Sequence, residues 1–246
     1  MDLKTRTAAE VLVDQLIIHG VTDVFCVPGE SYLPALDAMI DRDIRLTVCR
    51  QEGGAAIMAE AVGKQTGRPG VCFVTRGPGA TNAAHGVHIA QQSSSPMIMF
   101  VGQVDRGVRG RDAWQELDYP AVFGSMTKWA AEIDDPARVP EMVARAFQTA
   151  MNGRPGPVVL ALPEDMLRER VTVADAPLVR LKPPMWVSVP LAGSSVTTAA
   201  APLALMIGSS VPGSAIIDVA PVTASVCVAA FQAATLSGAS QVGRCW

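Results

Sequence analysis

Residues 49–82 read CRQEGGAAIMAEAVGKQTGRPGVCFVTRGPGATN, and this stretch decides the fold. Its pattern predicts a helix from about Glu52 to Thr66 and a buried strand at Gly70–Thr75. The turn Gly77-Pro78-Gly79 then opens a second helix, from about Ala80 to Gln92. A strand between two helices in this order is typical of a parallel sheet covered by helices.

The same alternation extends toward the N-terminus. Thr7 and Glu10 form a capping-box pattern at the start of a helix, and Gly20 supplies its stop. Three more elements are predicted before residue 50: a strand at Asp23–Val27 that ends in Pro28-Gly29, a helix at Tyr32–Asp41 and a strand at Arg45–Cys49.

The alternation also continues toward the C-terminus. The predicted elements are a strand at Met97–Val101, a polar loop at Gly102–Gln115, a strand near Lys128–Ile133, a helix at Ala137–Met151 and a strand at Pro157–Leu162. The predicted fold class is therefore α/β, a parallel sheet with helices on both faces. Because ligands of such sheets bind beyond the carboxyl ends of the strands, the loops of interest follow Val27, Cys49, Thr75 and Val101.

Composition argues against several classes of protein. The net charge of -3 gives no reason to expect a nucleic-acid partner. Five cysteines without a CxxC pattern indicate neither a disulfide framework nor a zinc site, and no metal-ligating cluster is predicted. The N-terminal residues carry charges before any apolar stretch, so a secretory signal is not indicated and a cytoplasmic location is expected.

The chain changes character near residue 180. Of its 20 basic and 23 acidic residues, only Asp218 and Arg244 lie after Lys182. We therefore predict one domain at residues 1–175, followed at 176–246 by a linker and an irregular or aberrant low-charge tail, or by the truncated start of a central domain.

Three interpretations compete for the tail. A membrane anchor is disfavoured because prolines and hydroxyl side chains interrupt the uncharged stretch Pro183–Ile217. The tail could instead begin a second domain. It could also be translated in a wrong frame, since a soluble surface without charges is hard to keep soluble; another frame would then restore charged, periodic sequence.

Glu52 is the main candidate for chemistry. It falls at the carboxyl end of a predicted strand, and the helix that it opens begins with small residues that leave room for a ligand ring. Glu52 could equally do no more than complement the helix dipole. Gly77 and Gly79 open a helix with free backbone N–H groups, although a lone glycine turn is weak support for a site.

Two motifs, Arg50-Gln51-Glu52-Gly53-Gly54-Ala55-Ala56 and Gly77-Pro78-Gly79-Ala80-Thr81-Asn82, are together similar to those of the acetolactate synthase family of thiamine-diphosphate-dependent enzymes. The resemblance spans about 170 residues, from Thr7-Ala8-Ala9-Glu10 to Leu162-Pro163-Glu164-Asp165. It implies that the first domain is the pyrimidine-binding domain. In this family the glutamate that matches Glu52 hydrogen-bonds the cofactor's aminopyrimidine and favours the imino form, which deprotonates the thiazolium carbon.

The resemblance also assigns roles to other residues. It places Pro28, Gly29, Gly77, Gly79 and Asn82 beside the cofactor. It places Gln115 and Lys128 near the substrate, although either could equally be an ordinary surface residue.

Departures from the family leave the substrate open. Gln51 stands where a histidine often precedes the glutamate, Glu30-Ser31 replaces small residues, and Trp114 replaces a phenylalanine.

The family holds magnesium and the cofactor's diphosphate on a second domain, through a Gly-Asp-Gly motif that these 246 residues do not contain. FAD occurs in the family, but nothing in this sequence indicates it. Expected partners are a second copy in a dimer or tetramer, or a full-length homologue, and a small 2-ketoacid.

The expected reaction is the conversion of pyruvate to 2-acetolactate in branched-chain amino-acid biosynthesis. The alternatives are another activity of the same family, such as benzoylformate decarboxylase or pyruvate oxidase, and a non-catalytic fragment that acts as an interaction module.

Overall fold

The computed structural model describes residues 4–180. In chain order its elements are β1 (Thr5–Thr7), α1 (Ala8–Ile18), β2 (Asp23–Cys26), α2 (Leu33–Met39), β3 (Arg45–Val48), α3 (Glu52–Thr66), β4 (Gly70–Val74), α4 (Pro78–Ser93), β5 (Met97–Gln103), α5 (Tyr119–Phe123), β6 (Trp129–Glu132), α6 (Val139–Met151), β7 (Pro157–Pro163), α7 (Glu164–Arg168) and β8 (Arg170–Thr172).

The described residues form one six-stranded sheet in the order β3-β2-β4-β5-β7-β6. Every neighbouring pair of strands in it is parallel. β1 and β8 make a separate antiparallel pair. Helices and strands alternate along the chain because each parallel pair needs a crossover connection.

Side chains of the central strands alternate between two apolar layers. In β4, Val71 and Phe73 pack into the layer formed with α1, α2, α6 and α7. Cys72 and Val74 point the other way, into the layer formed with α3, α4 and α5. The predicted α/β fold, a parallel sheet with helices on both faces, is therefore confirmed.

Two predicted boundaries shift for clear reasons. β5 continues through Gly102 and Gln103, which we had assigned to the following loop, because they pair with Leu162 and Pro163 of β7. α4 begins at Pro78 instead of Ala80. Proline suits the first turn of a helix, where its missing N–H has no partner to lose.

The sequence analysis missed the shortest elements. The antiparallel strands β1 and β8 have three residues each, and α5 and α7 have five each. Such segments are too short to display a period. α5 does carry a local signal, since the Asp118 carboxylate accepts a hydrogen bond from the Ala121 N–H at 3.0 Å.

The domain boundary at residue 175 stays a prediction. Residues 181–246, which hold most of the predicted tail, lie outside the described residues. Within residues 4–180, no helix is both long and apolar enough to cross a membrane.

We predict that the capping box of α1 makes the free energy of unfolding depend on pH in the acidic range. The Glu10 carboxylate accepts the Thr7 backbone N–H at 2.7 Å, and this bond is the main reason why the pKa of Glu10 lies below its ordinary value of 4.5. A lowered folded-state pKa gives stability that is present above pH 4.5 and lost as the pH falls through the folded value.

Glu10→Gln should therefore lower the free energy of unfolding by about 0.5–1 kcal/mol at pH 7. The difference from the parent should shrink toward zero as the pH falls from 4.5 through the folded-state pKa of Glu10, in urea titrations at several pH values. A difference that is constant with pH would contradict this account.

Candidate functional site

Glu52 begins α3 at the carboxyl edge of the sheet. The Gln51 side chain caps the helix, since its Oε1 accepts the Gly54 N–H at 3.0 Å. From α4, the Asn82 side-chain amide donates to Glu52 Oε2 at 3.1 Å. No described residue donates a hydrogen bond to Oε1 of this half-buried carboxylate, so one oxygen is left to receive a ligand.

The glycine turn before α4 lies against the same carboxylate. A Cβ built on Gly79 would lie 2.7 Å from Thr75 Cγ2 and 3.5 Å from Glu52 Oε1, so the backbone approaches both closely. No side chain caps the N-terminus of α4. Pro78 has no N–H and the Gly79 N–H donates to the Arg76 carbonyl at 3.4 Å, so the helix dipole is what favours negative charge at this position.

The Pro28-Gly29 turn packs on the end of β4. A Cβ on Gly29 would lie 2.5 Å from Thr75 Cβ. Ser31, two residues after Gly29, holds the turn there, because its Oγ is 2.9 Å from Thr75 Oγ1. The structure thus brings the loops after β2, β3 and β4 to one edge of the sheet, as the parallel topology predicts.

Gln115 also reaches this edge. It has a φ of 65°, and its backbone oxygen would lie 2.8 Å from a Cβ built on Gly77. Gly77 is held in turn by the buried Tyr119. Its hydroxyl accepts the Gly77 N–H and donates to the Gly102 carbonyl, each at 3.1 Å. Burial is the main reason why the pKa of Tyr119 rises to about 12, so the phenol stays protonated as a donor.

Ion pairs hold the loop that carries Gln115. Arg106 Nε donates to Asp165 Oδ2 at 2.8 Å, and Arg106 also pairs with Glu169. The Glu116 carboxylate accepts two backbone N–H groups of the loop, those of Gly110 and Ala113. Trp114, beside Gln115, is 79% exposed at the surface of this fixed loop.

Lys128 is separated from the other candidates. It precedes β6, and its backbone N–H donates to the Pro157 carbonyl at the start of β7. Its Nζ donates to the Asn152 carbonyl at 2.6 Å, and burial lowers its pKa. Lys128 therefore lies at the amino edge of the sheet, opposite Glu52.

The sequence analysis missed Arg76, a buried cation at the end of β4. Its guanidinium lies 2.5 Å from a Glu30 oxygen and 3.6 Å from a Glu164 oxygen. This ion pair gives a structural reason for Glu30, whose place after Pro28-Gly29 departs from the family pattern. The sequence could have indicated this ion pair, because Glu30 follows β2 and Arg76 follows β4 of the same parallel sheet.

Residues 6–122 match the family described as thiamine pyrophosphate enzyme, N-terminal TPP binding domain. They are therefore an N-terminal domain of the thiamine pyrophosphate enzymes.

Within this class the domain is acetolactate synthase-like. The chain is 40% identical over 167 residues to the acetolactate synthase of Bacillus subtilis (strain 168), covering 68% of this chain and 29% of the relative. It is 38% identical over 170 residues to the probable acetolactate synthase large subunit of Methanocaldococcus jannaschii, covering 69% and 29%. The match thus spans about 29% of the length of these relatives.

The described residues fit part of the cofactor. Glu52 Oε1 can accept a hydrogen bond from a ring nitrogen, and a Cβ on Gly54 would meet no atom within 4 Å, so the first turn of α3 has open space. Within residues 4–180, no group of three His, Cys, Asp or Glu side chains could hold a metal ion.

We predict that Gly77→Ala lowers the free energy of unfolding by about 1–3 kcal/mol, because φ is 53° there and the new methyl group would meet Gln115. Urea unfolding measures the change. Gly54→Ala is the matched control, since its methyl group enters open space on a helix, and it should be neutral or stabilising. Equal effects of the two substitutions would contradict the prediction.

Proposed function

We propose that residues 1–175 act as the cofactor-activating domain of an acetolactate synthase-like enzyme that decarboxylates and joins 2-ketoacids, with pyruvate as the substrate and 2-acetolactate as the product. The observation that carries the proposal is the position of Glu52. One oxygen is held by Asn82 at 3.1 Å, and the other faces the N-terminus of α4 and accepts no hydrogen bond from the described residues.

In this proposal Glu52 Oε1 accepts a hydrogen bond from the pyrimidine ring of the cofactor. Asn82 and the helix dipole of α4 stabilise the negative charge of the carboxylate. When bound, thiamine diphosphate supplies the carbon nucleophile that attacks the keto group of the substrate. The turns at Pro28-Gly29 and at Gly77 and Gly79 are the other proposed cofactor contacts, and their glycines let these turns pack closely on Thr75 and Gln115.

Gln115 is the proposed substrate contact, because its loop is fixed beside the cofactor turn. Lys128 lies at the opposite edge of the sheet and would have to serve a site on another copy of the chain. A second copy is the proposed partner. Large apolar side chains exposed on α3 and α4 support it, since Met58 is 41% exposed and Ile89 is 40% exposed.

Magnesium and the diphosphate need hard oxygen ligands, which we expect from a domain that carries a Gly-Asp-Gly motif. Nothing in residues 4–180 calls for FAD, and a cytoplasmic location remains our expectation.

A non-catalytic module is the second candidate function. It is favoured by the described residues, in which no group of three His, Cys, Asp or Glu side chains could hold the metal ion that a diphosphate needs. Another thiamine-diphosphate activity, such as that of a benzoylformate decarboxylase or a pyruvate oxidase, would use Glu52 in the same way and differ at the substrate contacts.

The full chain alone should bind thiamine diphosphate and magnesium weakly, with a dissociation constant of about 1 mM or higher, because the described residues offer no acidic metal cluster. Isothermal titration calorimetry with both components tests this. Tight, magnesium-dependent binding would show that this chain holds the diphosphate itself.

A chimera tests the catalytic role. Residues 4–175 replace the matching segment of the Bacillus subtilis acetolactate synthase, and formation of acetolactate from pyruvate is measured. The chimera should be active. Glu52→Gln in it should lower kcat by about 10²–10⁴-fold, the usual contribution of a positioned proton-transfer group, while circular dichroism stays unchanged.

Glu141→Gln is the control for this experiment. Glu141 lies in the first turn of α6, is exposed and contacts Arg138, away from Glu52. It should keep kcat within about twofold. A folded chimera that binds the cofactor but makes no acetolactate would favour the non-catalytic module. Undiminished activity of Glu52→Gln would overturn the role of Glu52.

A further inference from the structure

His85 of α4 packs on Gly53, the residue that follows Glu52. A Cβ built on Gly53 would lie 1.9 Å from Cε1 of the His85 ring and 2.6 Å from its Nε2. Gly53 is buried, whereas the outer part of His85 is exposed. The imidazole therefore covers the backbone of α3 in its first turn and takes the space that a side chain at position 53 would need.

α4 contacts two consecutive residues of α3 through a single face. Asn82 and His85 are three positions apart, so they are neighbours on the helix surface. Asn82 holds the carboxylate of Glu52, and His85 holds the backbone of Gly53. The two contacts fix both the position of the carboxylate and the turn of helix from which it extends.

The cap of α3 is confined by the same ring. Gln51 Oε1, which accepts the Gly54 N–H, would lie 2.7 Å from a Cβ on Gly53. The ring of His85 and the side-chain amide of Gln51 thus both border the space that a Cβ on Gly53 would occupy. The first main-chain bond of the helix, from the Ala55 N–H to the Gln51 carbonyl at 3.2 Å, belongs to the same turn of α3.

We propose that His85 is a positioning residue for Glu52, because its ring clamps the first turn of α3 against α4 and keeps the carboxylate within reach of Asn82. The flat ring does this by contact with Gly53. The inference rests on the proposed function only in giving Glu52 a catalytic role, since the clamp itself exists without cofactor or substrate.

Nuclear magnetic resonance of the ¹⁵N-labelled full chain tests the clamp without any cofactor. Two signals report on it: the side-chain amide of Asn82, which senses the bond to Glu52, and the hydrogen exchange rate of the Ala55 amide. His85→Ala should move the Asn82 signal toward its position in Glu52→Gln. The same substitution should speed Ala55 exchange about threefold to tenfold through local opening.

Three further variants separate positioning from general stability. His85→Phe keeps a flat ring on Gly53 and should retain both parent signals. Gly53→Ala should displace the ring and reproduce His85→Ala, and the double variant should add nothing further. His88→Ala removes the next exposed histidine of α4 and should change neither signal.

Two results would overturn the proposal. One is an Asn82 signal and an Ala55 exchange rate that stay at parent values in His85→Ala. The other is a change in the Asn82 signal and in the Ala55 exchange rate that only parallels a loss of global stability and that His85→Phe does not restore. Failure of the chimera to make acetolactate, with the clamp signals as expected, would reject the catalytic proposal and leave the clamp standing.

Discussion

The structure depends on how closely α3 packs against its neighbours. A Cβ on Gly63 would lie 2.0 Å from the Pro96 carbonyl oxygen, and a Cβ on Gly86 would lie 2.5 Å from Ala56 Cβ. These separations exclude side chains at both positions and let backbones make the contact. Because the helix is fixed along its length, the position of its first residue, Glu52, is fixed at the edge of the sheet.

A second layer of hydrogen bonds fixes what surrounds that carboxylate. Tyr119 joins the turn at Gly77 to the end of β5 through bonds that are shielded from water, where losing a partner is costly. Arg106 ties the loop that carries Gln115 to Asp165. The candidate site is thus pre-organised by residues that would not contact a ligand, which is how sites reach the accuracy that catalysis requires.

Much of this arrangement could be predicted from local patterns. The bounds of α3 agree with the prediction at both ends, and the placement of Glu52, Gly79 and Asn82 at one edge follows from parallel topology. The small residues that open α3 were expected to leave room for a ligand ring. In the structure Gly54 is open, whereas Gly53 is covered by His85, a contact between helices that no sequence period encodes.

The sequence by itself determined the alternation of helices and strands, the class of fold and the choice of Glu52 as the candidate for cofactor activation, because these depend on short-range periodicity and on two contiguous motifs. The tertiary structure alone decided which distant residues meet. Gln115 reaches Gly77, while Lys128 lies at the opposite edge of the sheet. Both follow from the order and direction of the strands, which is a property of long-range pairing and leaves no local trace.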